Sequence, residues 1–345
     1  MDYPPLKRLR SRGTQCGVNS VSHDKSTQFG PSHNSYDRFI RSSDKTAFTT
    51  HKYLITNITN TKENALSWCF DNNLLIKQRK CDKCNNDMIL SKCKSSDGIR
   101  WRCQKNGHFV ETSIRKGSWF EKSNLTIEEV IEMTYWWTTG IDQNQIAKQM
   151  CISSSTAVDW DMFCRETCEV LLFQNSSKIG GKGVRVQIDE SKFGKRKYHR
   201  GHRVDGQWVF GGIEEESRKN FLVAVEKRDR ETLIPIIKNW ILPGTTIVSD
   251  FWKPYDILSE LDFEHLKVNH SVEFVNCNGD HTNKIEGHWR QVKSTLPSFG
   301  VKKSHFSSYM AEFMWRYANK DQDLFSKFIC DLSSVYLSDE IFAFS

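Results

Sequence analysis

The sequence predicts an α/β protein whose second half forms a mixed sheet, preceded by a metal-braced segment and a helical region. Three observations predict it. Beyond residue 183, three short apolar runs in succession give way to alternating helical and extended runs, the order of a mixed sheet with an antiparallel part. Between residues 81 and 108, metal-ligating residue types stand in two closely spaced pairs, Cys81-x2-Cys84 and Cys103-x4-His108. From Leu125 to Phe173, apolar residues recur at helical spacing.

The chain has 345 residues, a formal net charge of +7 and 38 % hydrophobic residues, enough for more than one buried core. No run approaches the roughly 18 apolar residues of a membrane span, so no membrane partner is expected. The basic N-terminus lacks a following apolar stretch, so no secretory signal is expected either. Eleven cysteines, with one x2 pair, point to metal binding in a reducing compartment rather than a disulfide framework.

Residues 1–50 are polar and aperiodic and are expected to be disordered. They carry a basic cluster, Lys7-Arg8-Leu9-Arg10 with Arg12, of the nuclear-import or nucleic-acid-contact kind, which favours a nuclear protein. Residues 60–120 are expected to hold a short helix from Glu63 to Ile76 and a zinc ribbon. Two ligand pairs on tight turns supply adjacent corners of a tetrahedral structural Zn2+ site: Cys81, Cys84, Cys103 and His108, with Cys93 an alternative to His108. Ser113–Phe120 reads as an extended exit segment.

Residues 121–175 read as helices. Thr126-Ile-Glu-Glu129 is a capping box, Gly140 ends the first helix, and Gln143–Met150, a break at 151–154 and Ser155–Phe173 follow the helix-turn-helix plan of DNA readers. Asn175–Gly183 is glycine-rich and predicts a flexible linker, with 176–183 as the domain boundary. The core, 184–300, is expected to run as strands 184–190, 208–215 and 221–227, helix 231–241, strand 245–250, helix 254–261, strand 265–270 and a helix from residue 283 capped by Thr282 or Asn283. In the C-terminal segment, 301–345, the aromatic stretch Phe306–Phe328 predicts a core helix.

Two of the core strands end in an acid, Asp189 and Asp250, and the helix from 283 carries Glu286 on one stripe with Arg290 and Lys293. Three carboxylates suit hard cations such as Mg2+ or Mn2+, and a pair of such ions activates a hydroxyl and stabilises a leaving phosphate oxygen. Lys178–Gly206 holds nine Lys or Arg against three Asp or Glu, which suits a polyanion; Lys195, Arg196, Lys197 and Arg200 there are expected to contact DNA phosphates. His270 and His281 flank the same region. Trp252 and Trp289, beside the acids, read as packing residues.

The set Ile188-Asp-Glu190, Val248-Ser-Asp250 and His281 to Lys293 resembles the DDE transposases of the Merlin group and their bacterial insertion-sequence (ISXO2-like) relatives. The resemblance runs from about residue 60 to 320. It implies an RNase H-like core that cuts double-stranded DNA at transposon terminal inverted repeats and joins the 3′ hydroxyl to target DNA, acting as a homodimer or larger assembly. In that pattern Asp189, Asp250 and Glu286 are the metal ligands and the position of Lys293 is the following lysine. Some relatives use Asn or His for the third acid, which makes Asn283 a reserve candidate; the family's last ribbon ligand is usually cysteine, where His108 stands here. A domesticated DNA-binding protein without catalytic activity is the second reading, and the intact acids favour the first.

Overall fold

The computed structural model describes residues 48–105, 107–175, 177–194, 206–268, 282–297 and 300–337. They fall into two compact units, Met1–Cys164 with Asn319–Ser345, and Arg165–Ala318.

In the first unit, α1 (Lys62–Asp71) starts at Thr61, whose side chain accepts the Asn64 N–H, and buries Ala65, Leu66 and Cys69. The expected helix to Ile76 therefore ends five residues early, in a turn where Asn73 takes φ 56°. Strands β1 (Ile89–Lys92), β2 (Ile99–Cys103) and β3 (Val110–Ser113) form an antiparallel meander. The segment after β3 is not extended as expected. It is a run of tight turns, because Arg115 is drawn inward: it binds Asp97 through two nitrogens and donates to the carbonyls of Ser123 and Leu125, and both charged residues are 7 % exposed.

Helix α2 (Ile127–Thr138) has both bonds of the capping box, Thr126 to Glu129 N–H at 3.2 Å and Glu129 back to Thr126 N–H at 2.7 Å. Helix α3 (Gln143–Gln149) is capped by Asp142, and a turn with Cys151 at φ 52° leads into α4 (Ser154–Asn175). The core here is aromatic: Trp119 stacks on Phe163 and meets Trp160 edge-on, and Trp137 lies 4.8 Å from Phe328 of the C-terminal helix Leu324–Leu337.

The second unit is built on one five-stranded sheet. After β4 (Ile179–Gly180) come β5 (Arg185–Phe193), β6 (Gln207–Glu214) and β7 (Asn220–Val225), then α5 (Arg230–Trp240), β8 (Ile241–Leu242), β9 (Thr246–Asp250), a 3-10 turn (Lys253–Glu260) and β10 (Glu264–Val268). The order is β10-β9-β5-β6-β7; β5, β6 and β7 pair antiparallel, whereas β9 pairs parallel with both β5 and β10, so the expected mixed sheet is present. Helices α6 (Asn283–Thr295) and α7 (Phe306–Ala318) follow.

Side-chain alternation divides β5 between two layers. Gln187, Asp189, Ser191 and Phe193 face α6, while Val186, Ile188 and Glu190 face the layer of α5 and the 3-10 turn, where Phe221 stacks on Trp240 and Tyr255 is fully buried.

Two expectations need correction. The linker is tied down: Ile179 is 4 % exposed, β4 pairs with β8, and the Gly180 and Gly181 N–H groups are taken by Glu214 and Thr245. The aromatic stretch 306–328 is two helices, because the polar run Asn319–Asp323 breaks it and Asp323 accepts the Phe325 N–H at the start of the next.

Candidate metal centres and active site

In the ribbon, a turn closed by the Asn85 N–H to the Cys81 carbonyl at 2.9 Å presents Cys81 and Cys84 together. Cys103 ends β2, and His108 follows Gly107, whose φ of 73° reverses the chain. Cys81 Sγ lies 3.3 Å from His108 Nε2, Cys84 Sγ lies 3.6 Å from Cys103 Sγ, and all four ligand atoms fall within 4.8 Å of one another. A tetrahedral zinc ion with bonds of about 2.0–2.3 Å spaces its ligands by roughly 3.3–3.8 Å, so this donor set fits zinc. The sulfurs are too far apart for a disulfide. Asn86 binds the Cys84 sulfur and holds that thiol below its ordinary range, favouring the thiolate a metal needs. Cys93 lies elsewhere, with Sγ 3.0 Å from Ser95 Oγ, so His108 completes the set.

Strand register sets two of the acids on neighbouring strands. The parallel ladder of β5 and β9 ends at Gln187 paired with Val248, each two residues before an acid, Asp189 and Asp250. Helix α6 brings Glu286 alongside by three contacts with β5. Gln187 Oε1 accepts the N–H groups of Lys284 and Ile285, both at 3.1 Å; Trp289 Nε1 donates to Asp189 Oδ2 at 2.9 Å; Lys293 Nζ donates to Ser191 Oγ at 2.6 Å.

Four helical residues rise about 6 Å and two strand residues about 6.6 Å, so contacts at 285, 289 and 293 keep pace with 187, 189 and 191. Gly211 faces Asp189 across the β5–β6 ladder, and a Cβ there would stand 2.8 Å from the Trp289 ring; glycine makes room for the indole.

Asp189 is pushed up to about 6 by burial, and the negative charges of Asp250 and Glu286 add to the rise, while the Trp289 N–H works against it. Asp250 and Glu286 therefore both act on Asp189, although among the described residues only the ribbon ligands close into a tight set. A buried carboxylate under the negative charge of two others is one that a divalent cation relieves. Glu286, Arg290 and Lys293 lie on an exposed stripe of α6, with Asn283 at its head.

Sequence reasoning missed three residues. Thr282 makes no side-chain cap bond to α6; the cap comes from Gln187, 97 and 98 residues away in the chain. Gly211 is the second. The third is Glu190, on the opposite face of β5, which burial and the charges of Asp189 and Asp250 raise to about 8; it accepts the Tyr255 hydroxyl and lies 3.9 Å from Arg228 Nη1. For Gln187 the advance signal was a polar residue inside an apolar run.

Lys195, Arg196, Lys197, Arg200, His270 and His281 lie outside the described residues. At the expected reading helix, α4 exposes Ser154, Ser155 and Val158 and has no Lys or Arg before the buried Arg165.

Residues 179–318, from β4 to the end of α7, match the family model of the ISXO2-like transposase domain. An uncharacterised transposase-like protein of Haemophilus influenzae is 34 % identical over 104 residues, 30 % of this chain and 84 % of the relative. The Mos1 strand transfer complex, a solved structure, is 14 % identical with a TM-score of 0.25, over 60 % of this chain and 75 % of that one, a likeness too low to carry argument. By the extent and identity of the match to its bacterial relative, the chain belongs to the ISXO2-like transposase family.

Proposed function

We propose that the protein binds transposon ends, cleaves DNA strands there and transfers the 3′ hydroxyl to target DNA, on an RNase H-like core. What supports this reading is that Asp189 and Asp250 follow the paired stretch of two adjacent parallel strands, with the helix bearing Glu286 pinned against β5.

In this reading Asp189, Asp250 and Glu286 would hold two Mg2+ or Mn2+ ions. Bound there, the ions supply Lewis acidity to the attacking hydroxyl and the leaving oxygen. The chain's own residues do the positioning. Trp289 fixes one Asp189 oxygen and covers it, leaving the other for metal, and Gln187 holds the helix that sets Glu286. Arg290 and Lys293 offer cations to the non-bridging phosphate oxygens. Zinc in the Cys81, Cys84, Cys103 and His108 set would brace the ribbon for end binding. Since α4 exposes no cation at its start, phosphate affinity comes from other basic residues, Lys195, Arg196, Lys197 and Arg200 among them. Work on paired ends calls for at least a dimer, and the basic N-terminal cluster favours the nucleus.

The test is incubation of the zinc-loaded protein with duplexes carrying the inverted repeats that flank its gene, in Mg2+ or Mn2+. Strand-transfer products that vanish with Asp189→Asn or Glu286→Gln support the assignment. Cleavage unchanged by both substitutions refutes it, and cleavage without joining makes the protein a nuclease only.

A further inference from the structure

On the face of β5 turned away from α6, the sheet ends in an aromatic and cationic cluster that the acid site does not use. Trp208 stands opposite Lys192 in the β5–β6 ladder. Arg228, just after β7, lays its guanidinium 3.8 Å from the Trp208 ring centroid and 5.3 Å from that of Trp252, and Lys192 Nζ lies 5.5 Å from Trp208. Phe251 beside them is 67 % exposed, with Lys267 Nζ 5.3 Å from its ring. The cluster adjoins the acids in the chain: Phe251 and Trp252 follow Asp250 directly, and Lys192 is three residues past Asp189.

Both tryptophans pack on the sheet's core, but packing accounts for only part of this arrangement. Both tryptophans are only half-buried, and the Arg228 side chain between them is 42 % exposed. Nor is it a bare cationic patch, since Arg228 faces the buried Glu190 at 3.9 Å and Lys267 pairs with Asp256 at 2.5 Å. What the cluster presents is planes. Indole and guanidinium faces stack on nucleobases, and only unpaired bases offer a free face.

Given the proposed strand chemistry at the acids, we propose that Trp208, Arg228 and Trp252, at the same end of the sheet but on its other face, form a stacking site for one or two unpaired bases. The site selects single-stranded over duplex DNA and is indifferent to base identity, because every base has a π face.

The experiment measures anisotropy of a labelled oligothymidylate, its duplex form and an abasic oligomer of equal length, with the zinc-loaded full chain in buffer lacking magnesium and manganese. Trp208→Leu, Trp252→Leu and the charge-preserving Arg228→Lys are each expected to weaken single-strand binding about 5- to 100-fold. Duplex binding should hold. Wild-type protein should bind the abasic oligomer as weakly as the variants bind the intact strand, a comparison that needs no substituted protein to fold. Equal losses on single strand and duplex, no loss on either, or undiminished wild-type binding of the abasic oligomer would overturn the proposal. Because no catalytic metal is present, loss confined to the single strand upholds the stack even where no DNA is cleaved.

Discussion

Gln187→Leu tests how the acid site is assembled. The side chain is fully buried and accepts two backbone N–H groups at the start of α6, at 3.1 Å each, while donating to Glu215 Oε1 at 2.8 Å. Leucine fills similar volume but accepts nothing. Two donors at the positive pole of the helix then lose their acceptor in a buried place, at about 1–3 kcal/mol each. Glu215 keeps Arg185 at 3.1 Å, so the third bond weighs less. With some return from the added apolar surface, the net cost is about 2–4 kcal/mol, concentrated at the turn that carries Glu286.

Hydrogen exchange by mass spectrometry on the 282–297 segment reads this locally, without requiring the two units to unfold together. Protection there should fall at least about tenfold, since 1.4 kcal/mol is a factor of ten. Mn2+ affinity should fall by about 10- to 100-fold, the usual effect of losing support behind a ligand. Gln187→Glu, which restores an acceptor, should recover part of both. If Gln187→Leu leaves protection and metal affinity as in the wild type, Gln187 does not hold the helix and the assembly argument is wrong.

Burial, with Lys267 nearby, lowers His265 to about 4 against an ordinary 6.5, while its Nε2 lies 2.8 Å from Ser249 Oγ. Its contribution is therefore whole above pH 6.5 and is lost as the pH falls toward 4, at most about 3 kcal/mol. Asp189, raised to about 6, runs the opposite way over an overlapping range, so the readout is the difference between wild type and His265→Gln. That difference should be near zero at pH 8 and favour the variant below pH 5; urea midpoints that differ equally at both pH values would contradict this. For the ribbon, elemental analysis should find one zinc per chain, absent in Cys84→Ser, with exchange protection of β1 to β3 lost in that variant and kept in Cys93→Ser. A Cys93→Ser protein that loses its zinc would return Cys93 to the site in place of His108.

Much of this site was legible in sequence because its signals are local. An apolar run ending in an acid marks Asp189 and Asp250, and an x2 cysteine pair marks the ribbon. Strand limits came within a few residues because each run is bounded by Gly, Pro or charge. What stayed hidden depends on partners distant in the chain. Gln187 looks like a polar interruption in Val-Arg-Val-Gln-Ile until α6 is set against it. Gly211 matters only once Trp289 crosses over it. The stretch 176–183 reads as a linker because a two-residue strand is too short to show a period. Arg115 turns the ribbon's exit inward for Asp97, 18 residues earlier, and no local pattern reports that.

The central claim is that Asp189, Asp250 and Glu286 share divalent metal. Electron paramagnetic resonance of Mn2+ titrated into the zinc-loaded protein tests it with neither DNA nor end sequence required. The account predicts bound Mn2+ in the wild type and affinity lowered at least about tenfold in each of Asp189→Asn, Asp250→Asn and Glu286→Gln. Three variants that bind Mn2+ as the wild type does would contradict it.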